Sequence, residues 1–192
     1  MANDDRGFLV VDFEFTAYAD NFGKPKGFFP EIIEVGAIEL KPPDYTDGRS
    51  YESFIRPRFF PKLSEFCRGI AIIDQADVDG GVDAIEMLAQ LALLYEPDQT
   101  WLAAWGDSDY TVLATQCRKY GLANPFTPER YIDLAAAYRD LCGHTYRSPL
   151  AVVLAEKGIE QTGYAHTALA DAINTAALVR RMLAEGWNPA RH

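Results

Sequence analysis

Three strand-like segments early in the chain, followed by a change of apolar period, leave few architectures open. Phe8 to Phe15 begins with the run Phe8-Leu9-Val10-Val11 and then alternates, Ile32 to Leu40 is rich in β-branched residues, and Tyr51 to Ile55 reads as a third strand. Turn residues separate them: Asn21, Gly23, Pro25, Gly27 and Pro30 in the first gap, then Pro42, Pro43, Asp44, Asp47 and Gly48 in the second. That pattern suits an antiparallel meander. After Pro61 the spacing becomes helical. Val82, Ile85, Met87, Leu88, Leu91, Leu94 and Tyr95 predict a helix over 82–95, which Pro97 ends. Trp101 to Trp105 reads as a short strand. Asp107 and Ser108 then supply N-cap chemistry for a helix carrying Tyr110, Leu113, Cys117 and Tyr120, with Gly121 at its C′ position. Tyr131 to Leu134 reads as a last strand, and helices are expected near 134–142, 149–157 and 167–185. The expected class is α/β, a mixed five-stranded sheet with its first three strands antiparallel and helices on its faces.

A chain of 192 residues with no repeat or linker suits one domain, with a core over about 8–185 and an end at His192 that frays after Gly186 and Pro189. Hydrophobic residues at 48% exclude a disordered chain. No apolar run approaches the roughly 18 residues of a membrane span, and the opening MANDDRG lacks the basic character of a secretory signal. The expected location is therefore the cytoplasm, with no membrane partner. Cys67, Cys117 and Cys142 show no Cys-x-x-Cys spacing, so buried free thiols are expected in place of disulfides or a thiolate zinc site. A net charge of −10 argues against coating duplex DNA, which needs many Lys and Arg on phosphates. It is compatible with a small nucleic-acid footprint around metal-binding carboxylates, because bound cations reverse the local field.

Three pieces of sequence carry chemistry. Asp12 and Glu14 lie two apart in the first strand, so the pleat points both carboxylates to one side, roughly 7 Å apart. Crowded there, they repel each other and are costly to desolvate unless they share something positive, for which a hard divalent cation is the simplest candidate. Taken alone, the pair also fits a strand end at which both groups reach solvent. The second piece, Trp105-Gly106-Asp107-Ser108-Asp109, falls where a strand gives way to a helix; such junctions face the ligand crevice of open α/β sheets, and they are equally where acids cap helices. The third is Gly163-Tyr164-Ala165-His166-Thr167-Ala168-Leu169-Ala170-Asp171. If both were helical, His166 and Asp171 would sit about 140° apart; they converge only if His166 lies on the loop before the helix, with Thr167 as N-cap. An unrelated solvated histidine and helical Asp is the other reading.

Together the three pieces resemble the DEDDh 3′-5′ exonucleases of the RNase H-like superfamily. DFEFT followed by EIIEVGAIEL is similar to their first motif, WGDSDYTVL to the second, and HTALAD with AINTA to the third. The connecting RPRFFPKLSEFC and IIDQADVDGG resemble the branch that contains KapD and the ERI-type RNA exonucleases. The likeness runs from about Phe8 to Leu183.

The resemblance implies an RNase H-like fold in which Asp12, Glu14, Asp109 and Asp171 hold two Mg²⁺ or Mn²⁺ ions, with Asp12 shared between them, and in which His166 is the general base. Asp109 is assigned as ligand because it directly precedes Tyr110-Thr111-Val112-Leu113, which leaves Asp107 as the cap. The implied reaction is hydrolysis at the 3′ end of single-stranded RNA or DNA, with RNA favoured, releasing a nucleoside 5′-monophosphate. Expected substrate contacts are the backbone around Phe15 and Thr16, with Phe66 stacking on the terminal base; Leu63, Phe66 and Ile70 also fit one face of a core helix. Arg56, Arg58 and Lys62 beside Phe59 and Phe60 read either as phosphate-steering groups or as a solvated loop. The chain departs from many relatives in carrying Tyr164 and Thr167 beside His166, and Ala71-Ile72 where the branch commonly has Thr-Gly. The competing readings are a regulatory protein that keeps the exonuclease fold but acts through protein binding, and an internally cutting RNase H-type nuclease. A homodimer is among the candidate assemblies.

Overall fold

A computed structural model describes residues 5–20, 23–70 and 72–191; Asn21, Ala71 and the His192 end lie outside them. The four-residue run Phe8-Leu9-Val10-Val11 is buried on both faces because its strand, β1 (Gly7–Phe15), occupies the middle of the sheet. Antiparallel to it runs β2 (Ile32–Lys41), and antiparallel to that β3 (Thr46–Phe54), as the meander reading requires. On the other side β4 (Thr100–Ala104) and β5 (Tyr131–Asp133) add in parallel, giving the order β3-β2-β1-β4-β5. This is the RNase H-like mixed sheet.

The helices follow in chain order: α1 (Glu65–Ile70), α2 (Gln75–Gly80), α3 (Ala84–Leu93), α4 (Ser108–Tyr120), α5 (Leu134–Cys142), α6 (Leu150–Glu156) and α7 (Ala168–Ala184). Alternation along β1 divides the core. Phe8 and Val10 pack with Tyr138, Val179 and Met182 on one face, whereas Leu9, Val11 and Phe13 pack with Met87, Leu91, Leu113 and Phe126 on the other.

The long helix α7 presses on β2 through Ala168, Ala172 and Ala176, all fully buried and spaced one turn apart. Gly36 makes that contact possible: a Cβ there would lie 2.1 Å from the Leu169 amide nitrogen and 2.2 Å from the Ala168 carbonyl carbon. The small stripe on the helix and the missing side chain on the strand together set how close α7 comes to β1.

Three local expectations need correcting. β3 begins at Thr46, not Tyr51, so Asp47 and Gly48 are strand residues; as an exposed edge strand it needs no apolar alternation in that half. α2 was not foreseen, since it carries no apolar period and is held by the reciprocal capping box of Asp74 and Asp77. The core reading of Phe66 and Ile70 fails as well, because Leu63 and Cys67 take the buried positions and leave Phe66 41% and Ile70 42% exposed. The three cysteines are free, Cys67 and Cys117 buried and Cys142 only partly so. Among the described residues no helix is long and apolar enough to cross a membrane.

Candidate active site

The C-terminal half of β1 brings Asp12 and Glu14 to the face covered by α7. Between them, the amide of Phe13 donates to Asp109 Oδ1 at 2.9 Å, which ties the first turn of α4 to the strand and buries Asp109. A register shift between Glu14 and Phe15 ends the regular pairing at this point; such bulges re-aim side chains beside functional sites.

His166 lies on the loop before α7, as convergence with Asp171 demands. Its backbone is left-handed, with φ of 63°, and its amide donates to Asp171 Oδ2 at 2.9 Å. A non-glycine residue in that region is uncommon and is sustained only when its surroundings hold it there. The imidazole Nδ1 stands 4.0 Å from Glu14 Oε1, and ligand atoms of Glu14, His166 and Asp171 all fall within 4.8 Å of one another. Asp171 occupies the first turn of α7.

The electrostatics are those of an acidic cluster out of water. Burial first, then repulsion from Asp109, Glu14, Asp171 and Glu34, raises the Asp12 carboxyl well above its usual range. Burial and the neighbouring Glu34, Asp171 and Asp109 push Glu14 up to about 8. Asp109 rises to about 7 through burial, partly offset by the Phe13 amide. Such groups favour a shared cation, and a set of carboxylate oxygens with one imidazole suits a hard divalent ion. The residues present therefore fit a metal centre.

Glu34 was not singled out in the sequence. It pairs directly across from Glu14, is 3% exposed, and faces the backbone of Ala168 at the start of α7, while its Oε2 has no hydrogen-bond partner. Burial raises it to about 7. An acid inside the apolar run Ile32 to Leu40 was the available signal. Glu34 meets the positive end of α7 in place of the expected cap, because Thr167 makes no side-chain cap bond and instead donates its hydroxyl to the Tyr164 carbonyl at 2.8 Å. Asp107 likewise stands at the N-cap position of α4 without capping it: its backbone is already helical, and its carboxylate pairs with Arg147 at 3.5 Å.

The expected substrate contacts fall differently. Thr16 is buried, its amide bound to the Glu31 carbonyl at 2.8 Å and its hydroxyl accepting from the Glu31 amide at 2.9 Å, so the amide and the hydroxyl are both engaged inside the protein. The carbonyl of Phe15 receives the Cys67 thiol at 3.8 Å, and the Ala17 carbonyl receives the Ser64 hydroxyl at 2.5 Å. These two contacts seat α1, with the exposed Phe66, over the end of β1.

The family model described as exonuclease, RNase T, matches residues 9–179, which spans all three motifs. The chain belongs to this exonuclease family. Within the RNase T exonucleases it is 32% identical over 172 residues to the probable 3′-5′ exonuclease KapD of Bacillus subtilis (strain 168), covering 90% of this chain and 82% of that one. It is also 32% identical over 200 residues to ERI1 exoribonuclease 2 of Mus musculus, where the match takes in 93% of this chain but only 28% of the relative. Among solved structures, the nuclease domain of 3′hExo, a DEDDh family member bound to rAMP, superposes with a TM-score of 0.84 at 25% identity, covering 97% of this chain and 96% of that one. This RNase T family member is thus a 3′-5′ exonuclease of the DEDDh class, on the KapD and ERI branch.

Proposed function

We propose that the chain, as a single exonuclease domain with its core over about 8–185, trims single-stranded nucleic acid from the 3′ end, with RNA favoured over DNA. It releases nucleoside 5′-monophosphates. The observation that carries this reading is the meeting of four separated acids and one histidine at the end of β1. The preference for RNA is supported by the name of the exoribonuclease relative and by the rAMP bound to the 3′hExo nuclease domain.

Asp12, Glu14, Asp109 and Asp171 would hold two divalent ions, Mg²⁺ or Mn²⁺. Such ions, when bound, supply acidification of water and neutralisation of the charge that builds on the departing oxygen. The residues of the chain do the rest. His166, its ring 60% exposed beside Glu14, accepts the proton of the attacking water and passes it to solvent. Asp171 holds the His166 backbone, so the ring is positioned by the same carboxylate that belongs to the acidic cluster. Glu34 lies beside the start of α7, where its carboxylate faces the Ala168 backbone and adds to the acidic field around Asp171. Phe66, exposed on α1, is the ring that would stack on the terminal base, a contact worth about 1–3 kcal/mol and tolerant of any base.

The test is a 5′-labelled single strand incubated with the protein and Mn²⁺. A descending ladder of products with nucleoside 5′-monophosphate in the supernatant is expected. Random internal fragments would point to endonucleolytic cutting, and an intact strand over a range of metals and pH would remove the reading.

A further inference from the structure

Away from the acidic cluster, on the α4 side of the sheet, the surface changes character. Glu31 is fully buried at the start of β2, and its carboxylate accepts three successive amides, those of Arg58, Phe59 and Phe60, at 2.8, 2.9 and 2.6 Å, together with the Tyr120 hydroxyl. A carboxylate so fully bonded fixes the 58–60 backbone inward, leaving Arg58 and Phe59 exposed and Phe60 half-buried over the buried ring of Phe29. The rings then touch in sequence. Tyr18 meets Phe28 at 4.9 Å between centroids, Phe28 meets Phe60 at 5.1 Å, Phe60 meets Phe29 at 5.4 Å, Phe29 meets Phe59 at 5.4 Å, and Phe59 meets Tyr120 at 5.5 Å.

Three cations sit on this ridge. The Lys24 ammonium lies 5.3 Å from the Phe28 ring, Lys119 lies 5.3 Å from Phe29, and the Arg58 guanidinium lies 5.7 and 5.8 Å from Phe59 and Tyr120. None of the three is neutralised by an ion pair with a carboxylate among the described residues. Phe59 is 48% exposed, a large apolar ring left in water. Beyond it a cavity of about 440 Å³ opens between Arg56, Arg58, Ile85, Tyr120 and Leu122; Asp83 also lines it, with its carboxylate spent on capping α3. On a chain of net charge −10 such a concentration of unneutralised cations is a local reversal of sign.

We propose that this ridge is a docking track for the single strand upstream of the end being cut. Its polarity, with the 3′ end in the acidic cleft, rests on the exonuclease reading above. Rings with cations beside them match the two features every single strand presents, stackable bases and regularly spaced phosphates, without reading sequence. The track starts at Tyr18, four residues beyond Glu14, and Thr16 is bonded to Glu31 through both its amide and its hydroxyl, so ridge and cleft are parts of one rigid edge. From Asp109 to Tyr120, helix α4 rises about 16 Å over eleven residues, which sets the separation a strand must bridge.

The experiment measures binding and catalysis separately. Fluorescence anisotropy with labelled 16-nucleotide uridylate and thymidylate strands, in EDTA, is compared for the full chain and for the exposed charge reversals Arg58→Glu and Lys119→Glu. Thymidine 5′-monophosphate p-nitrophenyl ester, which has no upstream strand, reports the cleft alone in Mn²⁺. Each reversal is expected to weaken strand binding at least tenfold and to lower the slope of log affinity against log salt by about 0.7 or more, leaving ester hydrolysis within twofold of the parent. Unchanged strand affinity in both variants overturns the track, as does a parallel loss of ester hydrolysis. Binding of an acidic peptide in preference to either strand also overturns it and makes the ridge a protein interface. A parent that binds strands through these cations but cleaves neither substrate upholds the track and removes the exonuclease reading.

Discussion

The amide of Phe13 donates to the carboxylate of Asp109 at 2.9 Å, across 96 positions of sequence. That one bond fastens the start of α4 between the two acids of β1, and it gives Asp109 a structural duty separable from any chemical one. Asparagine retains an oxygen that can accept the amide. Asp109→Asn and Asp12→Asn are therefore expected to lower turnover by about 10²–10³-fold, as loss of a group in an electrostatic site does, while the metal-free protein melts no lower than the parent because repulsion is relieved. Steady-state rates and differential scanning calorimetry on the same preparations check both halves.

His166→Ala should slow hydrolysis by about 10²–10⁴-fold, the usual contribution of a positioned base. Its amide remains to bond Asp171, so Mn²⁺ affinity measured by titration calorimetry should stay within a few-fold of the parent. A variant that kept full rate would remove histidine from the reaction.

Gly36→Ala tests the seating of α7. The new methyl would meet the Ala168 and Leu169 backbone at 2.1 to 2.3 Å, which no rotamer can relieve. Overpacking of this kind costs about 3 kcal/mol, lowering Tm by about 6–12 °C for a chain of this size. Activity should fall further than stability, because the displaced helix carries Asp171.

Stability should depend on pH in an unusual direction. Glu14 holds its proton up to about 8 in the folded protein, against an ordinary value of 4.5. Between those two values the folded state binds more protons than the unfolded chain, so the metal-free protein loses stability as pH rises through that window. Glu34 and Asp109, raised to about 7, add to the same trend. Mn²⁺ at a concentration a hundredfold above its Kd at pH 8 should return about 2.7 kcal/mol there, or about 5–10 °C in Tm, and the same concentration should return less at pH 5, where protons compete for the carboxylates. Equal metal-induced shifts at both pH values would argue that the ions bind elsewhere.

Strong periodicity made much of this legible in the sequence. The helix over Ser108–Tyr120 and its stop at Gly121, the central strand and the meander could be read because each buries a regular apolar face. The angle between positions 166 and 171 requires His166 to lie outside α7 if the two converge, and the resemblance to the DEDDh exonucleases implies that they do. Elements set by local polar bonds were harder to see: α2 rests on a capping box, and the first half of β3 is an exposed edge. Capping was misassigned twice, at Asp107 and Thr167, because a sequence shows which side chain can cap but not whether a partner from another element, such as Glu34, reaches the helix first. Glu34 itself was hidden by its setting, an acid inside a run otherwise read as core.

The left-handed backbone at His166 restricts more than geometry. Asparagine, aspartate and glycine tolerate that conformation best, whereas β-branched residues are excluded. Any attempt to graft this histidine onto another scaffold, or to exchange it for a different proton acceptor, must carry the whole 166–171 segment with it, since the imidazole borrows its bearing from a carboxylate five residues downstream.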